Sequence, residues 1–137
     1  MQQSLFTVTN LFDTNESDAA RPIIQGARRA ENGEAVYLSD PKGYQFTAVL
    51  EFLPGFPRGN HAHQKRTEHF YVIEGQMKGI FWQPGEEQDR HERVLKKGDW
   101  VTVYPGTFHR YEPEQRTLVV EVSDLPYDAA DCIRANE

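Results

Sequence analysis

The sequence predicts an all-β fold, a sandwich or barrel of the jelly-roll kind. Short runs rich in Val, Phe, Tyr, Trp and Thr recur along the chain, residue types that suit a pleated, half-buried surface. Glycine, proline and asparagine turn signals separate those runs. At 137 residues there is room for one core, so the reading is one domain over 1–137.

The elements follow in chain order. Residues 4–12 read as an N-terminal edge strand, and Leu5, Phe6, Val8, Leu11 and Phe12 make it more apolar than a free terminus usually is. An exposed sheet edge needs covering, so this segment is expected to add to a neighbouring subunit's sheet in a two-fold homodimer. Residues 13–20 are polar and acidic and read as a loose loop. Asn32-Gly33, followed by Val36-Tyr37-Leu38, signals a hairpin. Strand runs then fall at 47–53, 69–74, 77–82, 92–96, 100–104 and 116–122. Turns stand between them at Pro54-Gly55, Gly59-Asn60, Gly75, Pro84-Gly85, Gly98-Asp99 and Pro105-Gly106. The tail, 124–137, carries a capping aspartate, an early proline and then helix formers, which predicts a short C-terminal helix or turn outside the barrel.

Composition excludes several classes. No run approaches the roughly 18–20 apolar residues of a membrane span. The N-terminus shows no export signal, so a cytoplasmic location is expected. The single cysteine, Cys132, fits a reducing compartment. A formal charge of −6 argues against a nucleic-acid partner and leaves a small-molecule ligand as the expectation.

The chemistry concentrates in two turn-flanked segments. In the first, His61 and His63 lie two residues apart, so on a strand they face the same way. After a four-residue gap, which turns the corner into the next strand, Glu68 comes alongside, with Phe70 and Val72 on its face. In the second, Pro105-Gly106 reverses the chain just before a lone His109. Three imidazoles and a carboxylate make a mixed N/O site suited to a divalent ion such as Zn, Ni, Fe or Mn, with positions left for water or substrate. His69 faces away from Glu68 and reads as an exposed or interface histidine. His91 lies in a charged stretch, 86–93, that reads as a solvated loop or hairpin tip.

These intervals resemble the two motifs of the cupin superfamily over residues 45–122. The first motif, G-x5-HxH-x3,4-E-x6-G, is met by Gly55, His61, His63, Glu68 and Gly75. The second, G-x5-PxG-x2-H-x3-N, is met by Gly98, Gly106 and His109; Tyr104 stands where the motif has proline and Pro113 where it has asparagine. The resemblance implies a double-stranded β-helix, the cupin jelly roll, with metal ligands at His61, His63, Glu68 and His109.

A finer likeness joins 54–75 to the metal-carrying cupin domains of capsular-polysaccharide nucleotide-sugar enzymes. A second joins the chain to dTDP-4-keto-6-deoxyglucose 3,4-ketoisomerases, through Arg58-Gly59-Asn60-His61-Ala62-His63 and the acidic tail from Ser123 to Arg134. Both imply an isomerase or epimerase of a nucleotide-linked keto-sugar. His61 and His63 are its candidate bases, Tyr104 and Tyr111 its candidate acids, and Arg58 and Arg110 its candidate phosphate contacts. The ketoisomerases use their histidines without a metal and lack a carboxylate at the position of Glu68, so Glu68 leans this chain toward a metal. The alternatives are an Fe- or Ni-dependent cupin dioxygenase and a non-catalytic cupin that binds sugar or metal.

Overall fold

The chain is described here by a computed structural model over residues 5–13 and 25–135. Strands form where the alternation places them: β4 (Phe46–Phe52), β6 (Glu68–Glu74), β7 (Gln76–Trp82), β8 (His91–Lys96), β9 (Asp99–Val103) and β11 (Thr117–Ser123). The histidine-bearing segments are also strands, β5 (Arg58–His63) and β10 (Phe108–Pro113). The Asn32-Gly33 turn closes a hairpin of β2 (Gln25–Ala30) and β3 (Gly33–Leu38) in antiparallel register.

Adding β1 (Phe6–Asn10) and β12 (Cys132–Arg134), two five-stranded sheets face one another, ordered β1-β9-β6-β11-β4 and β12-β5-β10-β7-β8. This is the jelly roll expected from the sequence. Both sheets send side chains into one core, in which Phe52, Phe70, Val72, Met77, Phe81, Leu95, Val101 and Val119 are buried. The β2–β3 hairpin lays Ala27, Val36 and Leu38 against Tyr71, Trp100 and Val122, whose side chains form a second buried layer. The large aromatic residues therefore divide. Phe52, Phe70 and Phe81 point into the barrel, Trp100 lies in the layer packed by the hairpin, and Trp82 stacks on Phe108 in a third group with Ala62 and Ile80.

One expectation about the termini needs correction. The N-terminal segment forms an edge strand as expected: β1 pairs along its whole length with β9 of its own chain and leaves its other side at the rim of the sheet. The reason is local packing, since Phe6 stacks on Phe81 at 4.0 Å between centroids, and the Asn10 side chain bonds the Lys97 carbonyl and Asp99. The correction concerns the tail, which does not lie outside the barrel. It makes a single 3-10 turn at Ala129–Asp131, capped by Asp128, and then enters the second sheet as β12 beside β5. Of the expected loop 13–20, Asp13 closes a 3-10 turn and residues 14–20 lie outside the described residues, as do residue 4 and residues 136–137.

That tail anchors the corner between β5 and β6. Both carboxylate oxygens of Asp131 accept backbone N–H groups, from Lys65 at 2.8 Å and Arg66 at 3.1 Å. The Asp131 carbonyl accepts the Gln64 N–H at 3.0 Å, and Asp124 accepts that of Thr67 at 3.0 Å. The four residues separating His63 from Glu68 are thus each held by the C-terminal segment.

A second constraint sits at the head of β5. Gly59 and Asn60 both have positive φ, 99° and 64°, and Asn60 is skipped where His61 pairs with His109 and Gly59 with Arg110. This bulge re-aims His61. A Cβ on Gly59 would lie 2.8 Å from the His109 carbonyl oxygen, a contact with backbone that cannot move aside cheaply.

Gly59→Ala is therefore expected to cost about 1–3 kcal/mol, read as a fall in Tm by calorimetry; an unchanged Tm would show that the bulge relaxes freely. Asp131→Ala removes two hydrogen bonds to a carboxylate, each worth about 1.5–3 kcal/mol. Its urea midpoint should fall accordingly, and hydrogen exchange at Lys65 and Arg66 should accelerate. Protection retained at those two amides would refute the clamp.

Candidate active site

The bulge, the Pro105-Gly106 turn and the anchored corner bring three histidines into one group. One ring nitrogen from each of His61, His63 and His109 lies within 4.8 Å of the other two, with ring centroids 4.7 to 5.6 Å apart. Register explains this, because His61 and His109 are directly paired across β5 and β10.

The hydrogen-bond partners settle where two of the rings carry their protons. Nδ1 of His109 faces the Thr107 carbonyl oxygen at 3.2 Å; a carbonyl only accepts, so Nδ1 donates and Nε2 keeps its lone pair. A guanidinium only donates, so Arg66 Nη2 donates to His63 Nε2 across 3.3 Å. Glu68 Oε2 lies 3.4 Å from His109 Nε2 and 3.9 Å from His63 Nε2, and it is buried without a hydrogen-bond partner. Acceptors that face one another in a buried site call for a cation among them. On that ground the donors of His61, His63, His109 and Glu68 fit a divalent ion.

Burial keeps the imidazoles neutral. It lowers His61 to about 4, helped by the charges of His109 and Arg134, and His63 to about 3, helped by His109 and Arg66. His109 falls to about 4 by burial, against the opposing pull of the Thr107 carbonyl and Glu121. Glu121 moves the other way: burial, then hydrogen bonding and repulsion from Glu68, push it up to about 9. Tyr111 is raised well above its usual value by burial and the nearby carboxylates, and its hydroxyl is buried without a partner.

Over this group opens a cavity of about 110 Å³ lined by Leu50, Phe52, Arg58, Gly59, His61, Glu68, His109 and Tyr111. Arg58 holds its guanidinium 4.9 Å above the Phe52 ring and donates to the Glu51 carbonyl. The structure does not bring the remaining candidates into that wall. Tyr104 follows β9 and donates its backbone N–H to the Leu5 carbonyl, and Arg110 pairs with Glu112 at 3.2 Å. His63 is not in the cavity lining and accepts from Arg66 instead. His69 is half-buried rather than exposed, bonding Thr102 Oγ1 at 2.8 Å and stacking on Trp100. His91 is exposed at the start of β8.

Sequence reasoning missed Arg66, Glu121 and the role of Asp131. Arg66 looked like one of four corner residues. Glu121 shares its face of β11 with Thr117, Val119 and Ser123, while Leu118, Val120 and Val122 make the other face more apolar, so alternation alone turns Glu121 toward solvent. Asp131 sits in the tail signature, where only the fold reveals its partners.

No family model and no curated protein matches the sequence. Solved structures do resemble it. QdtA, a sugar 3,4-ketoisomerase from Thermoanaerobacterium thermosaccharolyticum in complex with TDP, aligns at TM-score 0.75 and 14% identity over 97% of this chain and 90% of that one. The WlaRB TDP-quinovose 3,4-ketoisomerase of Campylobacter jejuni aligns at 0.74 and 18% over 94% and 92%. The dTDP-4-dehydrorhamnose 3,5-epimerase of Sulfolobus tokodaii aligns at 0.65 and 11% over 77% and 70%. These likenesses establish the fold, the jelly-roll barrel those sugar isomerases share. Among the described residues no helix is long and apolar enough to cross a membrane.

The shifts give the metal-free protein a defined pH profile. Below about 6.5 the unfolded chain binds protons that His61, His63 and His109 refuse in the fold, so stability falls with pH down to about 4. Between 4.5 and about 9 Glu121 binds a proton that the unfolded chain lacks, which offsets one histidine on the acid side and makes stability fall above neutrality. Calorimetry in chelator should place the highest Tm near pH 7, with Glu121→Gln flattening the alkaline limb. A wild-type Tm that climbs steadily from neutral pH to pH 9 would contradict this.

Proposed function

We propose that this chain is an isomerase or epimerase of a nucleotide-linked keto-sugar. The observation that carries the reading is a neutral imidazole, His61, and a partnerless Tyr111 hydroxyl lining one small cavity. Moving a carbonyl, or inverting the carbon beside it, needs one group to take the acidic C–H proton and another to stabilise the enediolate oxygen. Neutral His61 suits the first task, because its lone pair is available at physiological pH. The proton returns to the neighbouring carbon for a ketoisomerase, or to the opposite face of the same carbon for an epimerase. Tyr111 keeps its proton and so acts as the donor to the developing oxyanion. Arg58, at the cavity wall, is the candidate contact for a phosphate of the nucleotide. The sugar ketoisomerases and the epimerase among the structural neighbours support the same substrate class.

The same site is proposed to hold one divalent ion, Zn, Ni, Fe or Mn, on His61, His63, Glu68 and His109, favoured by the orphaned Glu68 Oε2. Bound there, the ion would polarise the substrate carbonyl as a Lewis acid. A histidine that gives its lone pair to a cation is no longer a free base, and in that state Tyr111 remains the proton-holding group at the cavity.

Two measurements decide. Incubation with dTDP-4-keto-6-deoxyglucose in deuterated water should wash solvent deuterium into the sugar. His61→Gln should slow the exchange about 10²–10⁴-fold, and Tyr111→Phe should slow it to a similar or lesser degree. Oxygen consumption with no exchange would favour a dioxygenase instead. Elemental analysis should find one equivalent of metal, lost in His61→Ala and Glu68→Ala; metal-free wild type after supplementation would remove the ion and leave the acid–base reading standing.

A further inference from the structure

We infer that Arg66 is a built-in cation of the site, which competes with a divalent ion for His63 and Glu68 and so sets how tightly the metal binds. The inference rests on the metal reading of those ligands and adds the residue that controls it.

Arg66 is an unusual arginine. It is 6% exposed, although its chain position, in a polar corner between two strands, would ordinarily leave it in water. Its Nη2 lies 3.3 Å from His63 Nε2, 3.7 Å from Glu68 Oε1 and 3.6 Å from Glu121 Oε1. Its remaining neighbours are the rings of Phe46, at 5.3 Å, and Tyr127, at 5.9 Å, while Nε is buried without a partner. At that burial the charge rests on its contacts with the Glu68 carboxylate and on the acceptors of His63 and Glu121.

Competition follows from valence and charge. An imidazole nitrogen has one lone pair, and on His63 Nε2 that pair already receives a hydrogen bond from Arg66. A metal ion can take His63 only when the guanidinium lets go. Two cations cannot share the same carboxylate in a dry pocket without strong repulsion. The backbone at Arg66 cannot retreat to relieve this, since Asp131 and Asp124 hold the 64–67 corner. Removing the charge therefore frees the ligands instead of damaging them.

The test is the affinity of purified, chelator-stripped protein for Zn²⁺, measured by competition with a chromophoric chelator. Arg66→Met should tighten binding by about tenfold or more, and Arg66→Lys, which keeps a positive charge, should stay much closer to wild type. A merely structural role for Arg66 would weaken binding, so a gain is diagnostic. Should Arg66→Met fail to fold, Arg66→Met/Glu121→Gln removes the guanidinium together with the buried acid that faces it, and the same gain is expected. Affinity in these variants equal to or weaker than wild type overturns the inference. If wild type still binds zinc and His61→Ala does not, the metal reading survives that failure. If neither wild type nor Arg66→Met binds, both fall.

Discussion

The whole site turns on one electrostatic requirement: hydrogen-bond acceptors collected in an apolar barrel must share a cation. His63 Nε2, His109 Nε2 and Glu68 Oε2 face one another, with the Glu121 carboxyl beside them. Below them Phe52, Phe70, Val72 and Val119 close the core against water. Such a group destabilises a fold unless charge is balanced inside it. Arg66 supplies part of that balance, and the proton retained by Glu121 supplies more.

Meeting that requirement demands placement as well as charge. Arg66 leaves a four-residue corner between β5 and β6, and a corner of that length could carry its side chain in or out. The C-terminal segment decides: Asp131 and Asp124 take its backbone N–H groups, and β12 seals β5 on the other side. Arg134 pairs with His61 on that edge, and its charge helps keep the imidazole neutral. The tail thus belongs to the site, and the acidic residues Asp124 and Asp131 of a segment expected outside the barrel hold the backbone of the corner.

Neutral histidines are the functional consequence. An imidazole near its ordinary value would divide between two protonation states at neutral pH. Here burial drives all three down, and they present lone pairs to whatever enters. Proton transfer and metal ligation both need those lone pairs, so one geometry suits either proposed chemistry. In the proposal made above, the cation that holds His63 decides between them.

Much of this was legible in the sequence. The period-two alternation and the turn residues predicted the strands, because side-chain direction in a strand follows from chain position alone. The pair His61 and His63, the interval to Glu68 and the turn before His109 located the site for the same reason. The rest depended on partners distant in sequence. Glu121 and Arg66 are inside because both faces of their surroundings are covered, one by the barrel core and the other by the β2–β3 hairpin and the tail. Tyr111 faces the cavity while Arg110 does not, which alternation allowed but only the position of His109 could orient. The tail read as a short helix or turn because its local residues favour one, and a 3-10 turn forms, yet the open edge of β5 offered backbone hydrogen bonds that outweigh the helical preference of the three residues after it. Local periodicity determined where the chemistry lies; long-range packing decided which charges share it.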